Sequence, residues 1–138
     1  MSIKAYIDTN VYLNALENRD DNISKEVIIF LEKRAVQIYL NDLSIINIHY
    51  ITRKSIDRTI IKNEIKNILS KHELVSIDKY IIQKAFDSDF NDFEDGVQYF
   101  CAQAINADFI ITNNPKDFES SQIKVFTPQA FYDEYISH

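Results

Sequence analysis

The chain has 138 residues, which fits one domain over residues 1–138, able to bury about two-thirds of its unfolded surface. It is 46% hydrophobic, rich in Phe and Tyr without Trp, and its formal charge of −6 argues weakly against a general nucleic-acid binder. A single Cys, Cys101, excludes an internal disulfide and a cysteine-based zinc motif, and a single Gly, Gly96, excludes a phosphate-cradling loop.

No apolar run approaches the ~18 residues of a membrane span, and the N-terminus lacks the basic start and apolar stretch of a signal peptide. The expectation is a soluble cytoplasmic protein with no membrane contact, with Cys101 packed in the core. In chain order, periodicity and turn signals predict strand 3–7, helix 10–17, helix 23–34, strand 36–40, helix 43–53 and helix 57–70. Strand 73–77, helix 78–86, helix 92–106, strand 109–112, strand 123–126 and helix 128–136 complete the pattern. Short apolar strands such as Phe109-Ile110-Ile111-Thr112, separated by helices, predict parallel pairing with both faces covered. The fold class is therefore α/β, a three-layer α/β/α arrangement around a central, mainly parallel sheet.

Asp8 stands where the apolar run Ile3-Lys4-Ala5-Tyr6-Ile7 gives way to Thr9-Asn10. A carboxylate at the carboxyl end of a strand lies where open α/β sheets collect ligands, which makes it the leading candidate for chemistry. From Ala85 to Pro115 the chain holds Asp87, Asp89, Asp92, Glu94, Asp95 and Asp108 and not one Lys or Arg. Asp92 and Glu94 are explained as well by capping and the helix dipole as by function. Asp95 is placed to point from the first helical turn toward the sheet, where an ionised carboxylate needs a cation or donor partner. After strand 109–112, Asn113-Asn114-Pro115-Lys116-Asp117-Phe118 forms a second polar cluster, in which Asp117 serves equally as a turn cap or a catalytic acid. Ser44 and Asn47, following strand 36–40, reach toward the same rim, and His49 is read as structural.

Charge is segregated along the chain. Between Arg53 and His72 six bases face two acids, a local +4 that leaves nine bases, nineteen acids and −10 elsewhere. Lys54, Arg58, Lys62 and Lys66 recur every four residues, which predicts one helix face, with Ile56, Ile60, Ile61, Ile65, Ile68 and Leu69 on the other. Two readings stay open: a solvated amphipathic helix, or a track for a phosphate backbone.

Taken together, Ile7-Asp8-Thr9-Asn10, Asp92-Phe93-Glu94-Asp95 and Ile110-Ile111-Thr112-Asn113-Asn114-Pro115-Lys116-Asp117-Phe118 resemble the PIN-domain family, from Ile3 to about Phe131. That resemblance implies a compact α/β ribonuclease dependent on Mg²⁺ or Mn²⁺, of the kind that serves as the toxin of VapC-like toxin–antitoxin pairs. It also implies an RNA substrate, an antitoxin partner and a homodimer. Asp8 matches the family's first acid and Asp95 its third. The second acid, usually a Glu about three residues after Ser or Thr, falls on Asn47 after Ser44, and the fourth falls on Asn113 or Asn114, leaving Asp117 as the nearest carboxylate. A similar subset of the family carries Asn at the second-acid position and an Asn followed by Asp-Phe at the last.

On this resemblance Asp8, Asp95 and Asp117 are the catalytic acids and metal ligands, supported by Thr9, Asn10, Ser44, Asn47, Glu94, Thr112 and Asn114, with RNA on Lys54, Arg58, Lys62 and Lys66. Oxygen ligands of this kind suit a hard divalent cation, and one well-held ion is expected because Asn47 removes a charge. Val27-Ile28-Ile29-Phe30-Leu31 is expected to contribute surplus apolar surface for a second copy or an antitoxin helix. The alternative is a degenerate PIN domain that binds RNA or protein without cutting. An aspartate-nucleophile phosphotransferase or receiver domain fits less well, because Asn10 stands where the former needs a second Asp and no Lys ends a late strand.

Overall fold

Alternation along short apolar segments sets the two faces of the molecule. In the computed structural model, which describes residues 2–137, β1 (Lys4–Ile7), β2 (Gln37–Asn41), β3 (Glu73–Val75), β4 (Phe109–Ile111) and β5 (Lys124–Phe126) form a five-stranded sheet. All four pairings are parallel and the order is β3-β2-β1-β4-β5. Ala5, Ile7, Ile38, Leu40 and Ile111 face one side. There they pack against Val11 of α1 (Thr9–Glu17), Val27 and Leu31 of α2 (Ile23–Lys33), Ile48 of α3 (Asp42–Thr52), Ile68 of α4 (Arg58–Lys71) and Phe131 of α7 (Pro128–Tyr135). Tyr6 and Ile110 face the other side, against Ile81 and Ala85 of α5 (Lys79–Asp87) and Val97, Cys101 and Ala102 of α6 (Phe93–Ala104). Burying an Ile side chain fully, as at Ile7, Ile38, Ile110 and Ile111, contributes about 1.5–3 kcal/mol each.

The chain runs outward from β1 through β2 to β3, then returns to β1's other side for β4 and β5. This reversal puts the topological switch point between β1 and β4, whose carboxyl ends carry Asp8 and Thr112. Helix starts follow their capping residues: Asn41 accepts from Ser44 N, Asp78 from Ile81 N, Asp92 from Asp95 N and Thr127 from Ala130 N. Each such cap is worth about 1 kcal/mol. Gly96 lies where α5 meets α6, and a Cβ there would stand 3.4 Å from those of Ala85 and Phe90.

Every expected element is present, with ends shifted by a residue or two; Pro115–Phe118 forms a short 3-10 turn. The expected basic face is corrected at Lys54. Asp57 caps Thr59 N and starts α4 at Arg58, so Lys54 lies in the preceding turn. Ile60 and Leu69 are also corrected, being 55% and 49% exposed, because α4 meets the core only along Ile61, Ile65 and Ile68. Val27-Ile28-Ile29-Phe30-Leu31 offers little surplus surface: Val27, Ile28 and Leu31 are core, Phe30 is half-buried and only Ile29 is exposed.

A buried polar contact joins three helices on the α1 side. His72, just after α4, has Nε2 2.7 Å from Glu32 of α2 and Nδ1 2.8 Å from the Tyr12 hydroxyl of α1. Burial lowers the His72 pKa, favouring a neutral ring that donates to Glu32 and accepts from Tyr12. Among the described residues no helix is long and apolar enough to cross a membrane.

Candidate active site

Asp8 occupies the N-cap position of α1 yet makes no side-chain capping bond. Like Tyr6 two residues earlier, it lies on the α6 side of the sheet, since successive side chains alternate. Its Oδ1 accepts from Gln98 Nε2 at 2.5 Å and its Oδ2 from Thr112 Oγ1 at 2.7 Å. The residue is only 2% exposed, and burial raises its carboxyl above the ordinary value, opposed by the Thr112 and Gln98 hydrogen bonds.

Asp95 lies half-buried in the first turn of α6, whose start is fixed by Asp92. Its carboxyl is pushed up to about 7, first by burial and then by the charges of Asp92 and Asp8 and by Asp117, which also hydrogen-bonds to it. These acids share one region, and the chain around Asp95 supplies no cation to relieve them. Asp117 itself is exposed on the 3-10 turn.

Around them, Thr9 Oγ1 and Ser44 Oγ lie 2.6 Å apart, joining the starts of α1 and α3. Thr112 Oγ1 also accepts from Asn114 N at 3.1 Å, so one hydroxyl ties Asp8 to the last expected motif. The donor set is carboxylate, amide and hydroxyl oxygen, the chemistry of a hard divalent cation that keeps several waters and needs only one or two carboxylates. Asp8 and Asp95 fit that role. No three acidic, His or Cys side chains among the described residues stand close enough to hold an ion jointly.

Residues 4–116 match the family model of the PIN domain. The chain belongs to the PIN-domain family. This PIN domain is 27% identical over 141 residues to Ribonuclease VapC1 of Aquifex aeolicus (strain VF5), covering 97% of this chain and 96% of that protein. Its fold is similar to a toxin–antitoxin complex from Klebsiella pneumoniae, with a TM-score of 0.69 and 20% identity over 90% of this chain and 97% of that one. It is also similar to VapBC2 from Rickettsia felis bound to a DNA fragment from their promoter, with a TM-score of 0.68 and 17% identity over 91% and 98% of the two chains.

The remaining expected residues divide. Ser44 and Thr112 are buried in the PIN domain's rim, whereas Asn10, Glu94 and Asn114 are exposed. Asn47 is half-buried on α3 and has no side-chain hydrogen bond among the described residues. Lys54, Arg58, Lys62 and Lys66 are exposed and none pairs with Asp8, Asp95 or Asp117. Three buried polar residues were missed: Tyr6, Asn41 and Gln98. Gln98 was reachable from sequence, because it follows Asp95 by three residues and so shares its helix face. Asn41 ends β2 much as Asp8 follows β1.

Proposed function

We propose that this PIN domain is a Mg²⁺- or Mn²⁺-dependent endoribonuclease, acting as one domain over residues 1–138, and the toxin of a type II toxin–antitoxin pair. The observation behind this reading is Asp95, pushed up to about 7 beside Asp92, Asp8 and Asp117, a crowding of carboxylates that a divalent cation would relieve. Asp8 and Asp95 would hold the ion, with Asp117 acting on it through a water. When bound, such an ion would supply a water of lowered pKa and stabilise charge on the phosphoryl oxygens. Thr112 and Gln98 favour the ionised form of Asp8 by donating to both of its oxygens, against the burial that raises its carboxyl. Asn47, neutral where the family usually has an acid, leaves the site poorer in charge and favours one ion over two.

The exposed bases Arg58, Lys62 and Lys66, with Lys54 in the adjoining turn, form the track for the RNA backbone. The named relative is a ribonuclease and one structural neighbour is a toxin–antitoxin complex, which supports an RNA substrate and an antitoxin partner. Exposed Leu43, Ile46 and Tyr50 on α3 support a homodimer.

The reading is tested by incubating the purified protein with RNA in Mn²⁺ or in chelator. Cleavage is expected only with metal, and Asp8→Asn and Asp95→Asn, with circular dichroism unchanged, are expected to lose at least about a hundredfold, beyond the range typical of outer-sphere substitutions. A wild-type protein that binds RNA and never cuts it in Mn²⁺ is the non-cleaving binding module instead.

A further inference from the structure

A continuous line of buried polar side chains runs from the start of α3 to Asp8. Ser44 N donates to Asn41 Oδ1 at 2.6 Å. With its oxygen so engaged, Asn41 turns Nδ2 to the Tyr6 hydroxyl at 2.9 Å. Tyr6 then donates its own hydrogen to Gln98 Oε1 at 3.0 Å, which leaves Gln98 Nε2 facing Asp8 Oδ1. Tyr6, Asn41 and Gln98 are 0%, 3% and 8% exposed, so water does not substitute freely for any link. A backbone N–H, which can only donate, therefore sets the direction of every later bond. Flipping either amide would oppose donor to donor or acceptor to acceptor, at about 1–3 kcal/mol for each buried group left unsatisfied.

We infer that Gln98 is a positioning residue whose amide, oriented through Tyr6 and Asn41, fixes the Asp8 carboxylate for the cation. The inference rests on the proposed role of Asp8 as a metal ligand. Asp8 is gripped from two layers: Thr112, after β4, holds Oδ2, and Gln98, on α6, holds Oδ1. Two donors on two oxygens define the plane of the carboxylate, where one alone would leave it free to turn. Hydrogen-bonded partners of this kind typically govern metal affinity 10- to 100-fold. With Asn47 in place of an acid, few carboxylates remain to share the task, so the placement of Asp8 carries more of it.

Calorimetric titration of Mn²⁺ into wild type, Gln98→Met, Tyr6→Phe and the double variant tests this, with melting temperature and circular dichroism as fold controls. Gln98→Met is expected to bind Mn²⁺ about tenfold more weakly. Tyr6→Phe, which retains the amide but frees it to turn, is expected to shift affinity in the same direction, and the double variant to bind no more weakly than Gln98→Met alone. In metal-free protein Tyr6→Phe is expected to shift the Gln98 side-chain amide proton resonances and to speed their exchange with solvent, as the hold on Oε1 is lost. Wild-type affinity in a folded Gln98→Met, or penalties that simply add, overturns the positioning role. If Gln98→Met does not fold, Tyr6→Phe decides: wild-type affinity in that variant overturns the role and a loss supports it. A wild-type chain that binds no Mn²⁺ overturns the metal-site reading and the role of Gln98 with it.

Discussion

Asp95 and His72 pull the molecule's pH response in opposite directions. Folded Asp95 is pushed to about 7 against an ordinary 3.8, so across that interval the folded state holds a proton that the unfolded chain has released. Its contribution to stability is therefore present at the acid end and lost as pH rises through about 7. Folded His72 titrates below its ordinary 6.5, so its contribution is present above 6.5 and lost as pH falls. Metal-free Asp95→Asn is accordingly expected to gain melting temperature relative to wild type between pH 5 and 8, with the gap widening toward pH 8. Because a ligating carboxylate must be ionised, Mn²⁺ affinity is expected to climb with pH up to about 7 and then level off. Calorimetry in buffers of different protonation heat would register the released proton below pH 7. A flat affinity between pH 5 and 8 would detach Asp95 from the ion.

At the scale of elements, α4 shows how a helix divides its labour. Ile61 and Ile68 tie it to the core, while Arg58, Lys62 and Lys66 remain in solvent at four-residue spacing. Replacing those three bases with Ala leaves the buried edge intact, so folding should persist and Mn²⁺ affinity should not move. RNA binding should weaken for all sequences alike, and the slope of log affinity against log salt should fall by about 2, as expected for three single-strand phosphate contacts. A triple variant with the wild-type salt slope removes the helix from RNA contact. The strands were legible in sequence because runs such as Ile38-Tyr39-Leu40 and Phe109-Ile110-Ile111 are short, apolar and bounded by helices. Asp8 and Asp95 were legible because strand ends and first helical turns can be located locally. The Tyr6–Asn41–Gln98 line was not, since residues 6, 41 and 98 meet only through the pairing of β1 with β2 and the packing of α6 on that face. Lys54 was misplaced because a four-residue repeat continues through a turn without recording that the helix has ended.

At the scale of the whole molecule, one exposed apolar stripe lies on α3, where Leu43, Ile46 and Tyr50 are 46%, 62% and 51% exposed at helical spacing. A second copy packed there would remove it from water. Light scattering at micromolar concentration is expected to give a dimer for wild type and a monomer for Ile46→Asp with unchanged circular dichroism; a dimer that survives Ile46→Asp would place the contact elsewhere.

The switch point between β1 and β4 also imposes a schedule on the chain's manufacture. Asp8 is made well before its partners: Gln98 and Thr112 follow it by 90 and 104 positions. At synthesis rates of about 5–20 residues per second, that carboxylate waits roughly 5–20 s for its second grip. A product broken off anywhere before β4 keeps Asp8 but none of Thr112 or Asp117, so incomplete copies carry no assembled acid rim. The order of residues along the chain delays the site until Thr112 and Asp117 have been made.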